Sequence, residues 1–492
     1  MNAIQFDATQ LGAAQFGALL PSVVLSATIV TVMLGIAVRR CHRVTATLAM
    51  LGTALALVCA LPLWLGGAAP VAVTPLLTID AAAGFYMLLV LAAVLGVLAL
   101  CPAYFAGYAG DREEIYLLIL LGGLGGLTLA GANHAATLFI GIELLSLPMV
   151  AGVAYASHDR RALEGGVKYL ALSAGASATL LFGLALIYAD IGRLDLSALA
   201  AELAGAGANT PLALTGGAML LAGLAFKLSL VPFHQWTPDV YEAAPAPVAA
   251  YLATVVKVGV FTVVLRLFHA GGGAAAHQFV NVLVVLALAS ILVGSVLALR
   301  QDNLKRLLAY SSIAHFGFLL IVLAAPGAGT PAVAAIYLLT YVITALGVFG
   351  AVALASSPAG ERDRELLQDY RGLFQQRPWV VAALTLMLLS LAGIPVTAGF
   401  IGKFSVLALG VASGQWLLVG GLLLGSAIGL FYYLRVIGAL YAAPPAGTPA
   451  PVAMGNTAAA RWSAGAVMVL LAVLLTLAIG VYPEPLLQLL RP

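Results

Sequence analysis

The chain has 492 residues, of which 63% are hydrophobic and only 8% charged, with a formal net charge of +3. Soluble domains carry roughly a quarter charged residues, so a soluble globular protein is excluded, no nucleic acid partner is expected, and the missing short alternating segments exclude a β-barrel. The three cysteines, Cys41, Cys59 and Cys101, form no CxxC and have no clustered histidines, so neither a disulfide framework nor an iron–sulfur or zinc site is expected.

In chain order, residues 1–16 contain no Lys or Arg, so no cleavable signal peptide with a basic leading region is expected. The first apolar run ends at RRCHR, residues 39–43, which reads as the cytoplasmic flank of a membrane anchor. A bilayer core needs about 20 apolar residues per helix. Fourteen runs meet that need, near 17–38, 44–66, 78–103, 113–131, 134–156, 162–190, 212–233, 246–269, 278–300, 303–324, 331–355, 379–407, 415–442 and 460–482. The fold class is therefore an all-α polytopic membrane protein. The longest connections, 191–211, 356–378 and 443–459, are too short for a separate folded domain.

Orientation follows from the basic residues of the loops. With the N-terminus outside, the inner loops hold Arg39, Arg40, Arg43, Arg112, Arg160, Arg161, Arg300, Lys305, Arg306, Arg362, Arg364, Arg371, Arg377 and Arg461, and the outer side holds only Arg193 and Arg491. Both termini are thus expected on the periplasmic side of the membrane or its equivalent.

Six further cations, Lys168, Lys227, Lys257, Arg266, Lys403 and Arg435, fall inside apolar runs. A charge at a helix centre costs roughly 2.5–3.5 kcal/mol even on the lenient insertion scale. Lys168 and Arg266 lie near enough to helix ends to reach the interface; Lys227, Lys257 and Lys403 are deeper and read as functional. Lys227 precedes Pro232 in FKLSLVPFHQW, and Lys403 follows Pro395 and Gly399 in SLAGIPVTAGFIGKF. Two broken helices are therefore expected, in the seventh and twelfth spans, since irregular backbone at membrane depth survives only inside protein or beside a wet cavity. Lys403 lies 176 residues after Lys227, and Arg435 178 after Lys257. That spacing over five spans reads as two inverted five-helix repeats, a transporter design. A lone carboxylate, Glu143, sits in the apolar stretch LFIGIELLSLPM at 138–149.

The motifs GIELLSLP at 141–148, FKLSLVPFHQWTPDVYEAAPAPV at 226–248, ATVVKVGVF at 253–261, QDNLKRLLAYSSIAHFGF at 301–318 and SLAGIPVTAGFIGKF at 390–404 resemble the antiporter-like family of subunit N of bacterial NADH–quinone oxidoreductase (respiratory complex I). The resemblance runs from about residue 80 to 440, with Ala243, Ala246 and Val396 departing from the usual residues. It implies 14 helices, with helices 1–3 in 1–110, a first repeat in 111–270, an inverted second repeat in 271–442 and a last helix in 443–492. It implies that Glu143 pairs with Lys227 as a switch, that Lys257 relays protons between half-channels and that Lys403 is the outlet-side lysine. His234 and His315 are candidate relays, because histidine titrates near neutrality. It also implies that this chain holds no cofactor, that FMN, iron–sulfur clusters and quinone belong to other subunits of the complex, and that its partners are the bilayer, small membrane subunits and a second antiporter-like subunit. A subunit of a multi-component cation/proton antiporter, a hydrogenase-type membrane complex and a plain membrane scaffold are the alternatives; a scaffold would gain nothing from three buried lysines.

The charge sorting generates a direct test. A cysteine placed at Arg371 is expected to react with a membrane-impermeant thiol reagent only from the cytoplasmic side, read by labelling of right-side-out and inverted vesicles; labelling from outside would invert the orientation.

Overall fold

The computed structural model describes residues 12–66, 69–108, 110–203, 210–270, 275–325, 329–356, 363–443 and 463–490. Arg362, Arg461, Arg491 and nearly all of the expected connection 443–459 lie outside the described residues. The chain opens with α1 (Ala13–Val38) and α2 (His42–Leu65), then an antiparallel hairpin of β1 (Val71–Thr74) and β2 (Leu77–Ile79), with Val71 opposite Ile79. Then follow α3 (Ala81–Tyr104), α4 (Glu114–Ala130), α5 (Ala135–Val153), α6 (Arg160–Ile191), α7 (Leu196–Leu203), α8 (Pro211–Leu228), α9 (Trp236–Ala243), α10 (Ala246–Ala253) and α11 (Val255–Ala270). The remainder is α12 (Ala275–Leu299), α13 (Leu304–Ala324), α14 (Thr330–Ala355), α15 (Leu373–Gln376), α16 (Pro378–Ala392), α17 (Ala398–Ala412), α18 (Trp416–Tyr441), α19 (Ala464–Val481) and α20 (Glu484–Leu489).

Among the described residues, 12 helical segments are long and apolar enough to cross a membrane. The fourth expected span is the shorter α4, and the twelfth is divided between α16 and α17. The hairpin was not anticipated by the all-helical reading. It takes up residues 77–79, so the third span starts later than expected: the Asp80 carboxylate accepts the Ala83 amide at 2.7 Å and caps α3.

Burial sorts the helices into two shells. The membrane-length parts of α3, of α10 with α11, of α13 and of α14 are 89%, 100%, 94% and 89% buried, which makes them the interior. Those of α1, α2, α6 and α19 are only 22%, 22%, 33% and 28% buried, and present Leu34, Leu51, Phe182 and Leu471 outward. Apolar surface on that scale belongs against lipid or neighbouring subunits.

The seventh and twelfth spans are broken where proline and glycine were expected to break them, and both breaks have the same geometry. Helix α8 ends at Ser229 with φ 61°, and α16 ends at Gly393 with φ 84°. In each case the next amide reaches back, Leu230 to the Ala225 carbonyl at 2.8 Å and Ile394 to the Leu389 carbonyl at 3.1 Å, the paired bonds of a left-handed helix end. These equivalent caps correct the spacing argument. Lys227 precedes its break, whereas Lys403 follows its own on α17, so the 176-residue interval does not join equivalent positions. A third interruption, at Thr254 between α10 and α11, has neither proline nor glycine to announce it.

At the end of the molecule that carries the arginine-rich loops, ion pairs tie segments far apart in sequence. Arg306 bridges Asp239 and Glu242, each at 2.6 Å, and Arg161 pairs with Glu365 at 3.1 Å. The opposite end is closed by backbone bonds, Asn133 to Leu76 at 3.0 Å and Ala135 to Leu194 at 2.8 Å.

The second break depends on Gly399, whose amide donates to the Ser390 hydroxyl at 3.0 Å. A Cβ there would lie 1.9 Å from the Ser390 carbonyl oxygen. Gly399→Ala is therefore expected to destabilise the assembled protein by about 1–3 kcal/mol or more. Gly420→Ala, where a Cβ meets nothing within 4 Å, is expected to be neutral. Thermal inactivation midpoints of the two variants check the contrast.

Candidate functional site

Helices α5, α6 and α8 build the first part of the site. Glu143 and Ser146 lie three residues apart on α5, and Ser173 and Ser177 four apart on α6, so each pair shares a helix face. Lys227, in the last turn of α8, is 1% exposed and points between these faces. Its Nζ donates to the Ser173 hydroxyl at 2.7 Å and the Ser146 hydroxyl at 3.0 Å. It stands 3.8 Å from Glu143 Oε1, and Ser177 donates a hydrogen bond to that same carboxylate. The ion pair is thus loose while both partners are held by serines. At that separation the attraction is about 4 kcal/mol at an effective dielectric of ~20.

Lys257, fully buried in the first turn of α11, lies beyond the first break. Its Nζ donates to the Lys227 carbonyl at 3.2 Å and to the Ser229 hydroxyl. Ser229 also accepts from the Thr237 hydroxyl at 2.5 Å. The rings of Trp236 and Phe316 each lie 5.5 Å from the ammonium, within range of a cation–π attraction. Lys257 thereby caps the carbonyl end of α8, where the aligned peptide dipoles favour a cation.

The second part of the site gathers around the other break. Lys403 Nζ donates to the Ala392 carbonyl, the last residue of α16, at 2.9 Å, and sits 5.3 Å from the Phe318 ring. It therefore plays toward α16 the role that Lys257 plays toward α8. His315 on α13 shares a cavity of about 10 Å³ with Lys403, Tyr341, Thr344 and Ser390, room for about one water. The His315 ring is hydrogen-bonded through Nδ1 to the Tyr337 hydroxyl at 2.8 Å and through Nε2 to the Tyr433 hydroxyl at 3.4 Å. Among the described residues no carboxylate pairs with Lys257 or Lys403, so carbonyls, hydroxyls and aromatic faces surround both.

Five of the six expected residues therefore gather in two groups along the interior: Glu143, Lys227 and Lys257 at the first break, and His315 and Lys403 at the second, with the Phe316 ring between the groups. His234 stands apart. It lies in the loop after the first break, its ring is 6.5 Å from Tyr310, and its Nδ1 is buried with no partner among the described residues. The other cations in apolar runs are paired nearer the helix ends. Lys168 bridges Glu164 at 2.7 Å and Asp239 at 3.2 Å, and Arg266 pairs with Asp80 at 2.7 Å. Arg435 corrects the expectation of a second deep cation. It is about one third exposed, reaches Asp302 at 3.8 Å and bonds the Gln301 carbonyl, so its long stem carries the charge to the loop.

One group was missed by sequence reasoning. Lys305, counted among the loop cations, is in fact buried against Asp363 at 2.7 Å, with both side chains 3% exposed. Lys305 also donates to the Ala244 carbonyl at 2.8 Å, and the Tyr104 hydroxyl donates to Asp363 at 2.7 Å. These contacts hold the corner between α9 and α10, where the two lysine-bearing spans meet. The QDN before Leu304 is a helix-start signal, with the Asn303 side chain accepting the Arg306 amide, but nothing local marks a partner 58 residues away.

Known proteins are similar to this chain in sequence and fold. A family model described as NADH:quinone oxidoreductase/Mrp antiporter, transmembrane, matches residues 132–429. The chain is 52% identical over 496 aligned positions to NADH-quinone oxidoreductase subunit N of Ectopseudomonas mendocina, covering 99% of this chain and 97% of that one. A chain of respiratory complex I from Thermus thermophilus, solved with bound aureothin, superposes with a TM-score of 0.79 at 33% identity, covering 95% of this chain and 98% of the other. A chain of the Mrp complex from Dietzia sp. shares the fold, with a TM-score of 0.84 at 22% identity, covering 97% and 96%. Spanning almost the whole of these relatives and matching the family model over more than half its length, the chain belongs to the NADH:quinone oxidoreductase/Mrp antiporter family of membrane proteins.

Proposed function

We infer that the chain is the proton-translocating subunit N of an NADH–quinone oxidoreductase, in which it moves protons while other subunits transfer electrons. The observation that carries this reading is the set of three buried lysines in the interior with a single carboxylate at one end. A scaffold would lose stability by burying such charges. In a translocating protein they are groups that take up and release protons.

Each residue then has a role. Glu143 and Lys227 are the switch. While they are close, the carboxylate supports the ammonium; when they part, Lys227 keeps only serine hydroxyls and hands its proton on. Lys257 is the next proton acceptor, one helix end away, its amino group lying against the Lys227 backbone carbonyl. His315 and its ring of tyrosines carry the path towards Lys403, the outlet-side lysine. His234 lies off this line and is kept as a relay on the intake side. The repeats of the family would divide these residues between a unit at 111–270 and a unit at 271–442, with 1–110 and 443–492 flanking them.

The complex around the chain follows from the same reading. FMN, iron–sulfur clusters and quinone are assigned to other subunits, and translocation is the enzymatic share of this one. Its neighbours are small membrane subunits and a second antiporter-like subunit, in a bacterial inner membrane with both termini periplasmic. The cation/proton antiporter reading has the fold likeness to the Mrp complex in its favour; the 52% identity to a subunit N over nearly the whole chain favours the first.

Lys227→Ala is expected to cut NADH-driven proton pumping and slow quinone reduction, and to spare NADH oxidation by an artificial acceptor at the peripheral arm. Normal pumping by the assembled mutant enzyme would remove Lys227 from the pathway. For the pair, Glu143→Gln is expected to lower pumping more than Glu143→Asp. The Glu143→Gln/Lys227→Ala double variant is expected to pump about as poorly as its worse single, a coupling of about 0.5–3 kcal/mol. Proton flux in liposomes, with assembly checked for each enzyme, measures the cycle, and additive losses would show that the two residues act independently.

A further inference from the structure

Tyr169 on α6 is 1% exposed, and its hydroxyl has no partner among the described residues. A buried donor left unsatisfied costs about 1–3 kcal/mol. The ring itself is well held. It stacks on the Trp236 indole with the centroids 4.9 Å apart, and Trp236 in turn donates its ring N–H to the Phe226 carbonyl at 3.0 Å. A phenylalanine would make the same stack without the cost of the hydroxyl, so packing leaves the hydroxyl unexplained.

Its position supplies a use. Tyr169, Ser173 and Ser177 stand at i, i+4 and i+8 on α6, so they share one helix face. Ser173 accepts from Lys227, Ser177 donates to Glu143, and the Tyr169 hydroxyl lies within electrostatic reach of that same carboxylate. Of the three, Tyr169 is nearest the arginine-rich end, where α6 begins at Arg160, and it precedes Ser173 by about 6 Å along the helix axis. The next residue inward on this face is Gly165, where a Cβ would lie 2.4 Å from the Ala243 Cβ of α9. Ala243 in turn lines a cavity of about 80 Å³ at the arginine-rich end, together with Asp159, Arg161, Glu242 and Lys305. A polar mouth, two small residues in contact and an unpartnered hydroxyl thus lead, in that order, to the serine that holds Lys227.

We propose that the Tyr169 hydroxyl is the relay that recharges Lys227 from the inner side. What it takes up is a proton carried by water. In the step, the arriving proton leaves its water and bonds to the phenol oxygen as the phenol's own O–H bond breaks. The released proton passes through one water to the Ser173 oxygen, the Ser173 O–H bond breaks, and its proton joins the lone pair of the Lys227 amine. Both hydroxyls end as neutral as they began, Lys227 gains one positive charge and the inner side loses one proton. Trp236 keeps the phenol in place while this happens. The contact of Gly165 with Ala243 closes the way in this conformation, and a small separation of α6 from α9 opens it. The inference rests on the reading of Lys227 as a proton carrier.

The test uses the assembled complex in inverted vesicles, where the medium bathes the inner side. Tyr169→Phe removes only the hydroxyl and keeps the stack on Trp236. Tyr86→Phe is the control, because it deletes another buried, unpartnered hydroxyl outside the lysine site. The relay requires that Tyr169→Phe pumps several-fold more slowly and that Tyr86→Phe pumps normally. It also requires the loss to deepen as the medium is made alkaline, where proton supply limits recharging. Normal pumping by Tyr169→Phe, in an enzyme that Lys227→Ala stops, would overturn the relay and leave the role of Lys227 standing. So would a loss that is equal at every pH or is matched by Tyr86→Phe, since either marks a packing defect. Normal pumping by Lys227→Ala would defeat the parent reading and the relay together. Ala243→Cys gives a second measurement: a membrane-impermeant thiol reagent in the medium is expected to modify it and slow pumping. Absence of labelling while Arg371→Cys is labelled, or labelling that leaves pumping unchanged, counts against the route.

Discussion

A helix that stops inside a bilayer leaves carbonyl groups without partners, and nothing in hydrocarbon can satisfy them. In this protein the unsatisfied ends of α8 and α16 are each met by a lysine ammonium, Lys257 on the Lys227 carbonyl and Lys403 on the Ala392 carbonyl. Each partner solves the other's difficulty. The carbonyl finds a donor, and the ammonium finds the negative end of a helix dipole. The buried lysines and the broken helices are therefore one structural solution. A substitution at either lysine exposes a helix end as well as removing a proton site.

The environments along the interior are graded. Lys227 has a carboxylate and two hydroxyls, Lys257 a carbonyl, a hydroxyl and two aromatic faces, and Lys403 a carbonyl and one aromatic face. Among the described residues the formal counter-charge is found only at the Glu143 end, so displacement of that one side chain changes the balance for all that follows. Glu143 is also the least enclosed member, with its side chain 20% exposed at the edge of the bundle, where a neighbour in a larger assembly can act on it.

Much of this was legible in the sequence because a charge in an apolar run is conspicuous. Glu143, Lys227, Lys257 and Lys403 stood out by cost alone, and Pro232 with Pro395 and Gly399 marked both breaks. What escaped was set by contacts distant in sequence. Lys305 looked like an ordinary loop cation, and only the folded chain brings Asp363 to it. Arg435 looked deep, and only its rotamer carries the charge to Asp302. The interruption at Thr254 has no breaker residue, and is held by packing in a segment that is wholly buried. The numerical interval between Lys227 and Lys403 suggested matched positions, yet the matched elements are the left-handed caps at Ser229 and Gly393.

The buried Lys305–Asp363 pair has a mechanical consequence. With Tyr104 and the Ala244 carbonyl it rivets the corner joining α9 to α10, at the arginine-rich end. The two spans are interrupted at Ser229 and at Thr254, so what this rivet fixes is the spacing of the short helices α9 and α10 at the arginine-rich end.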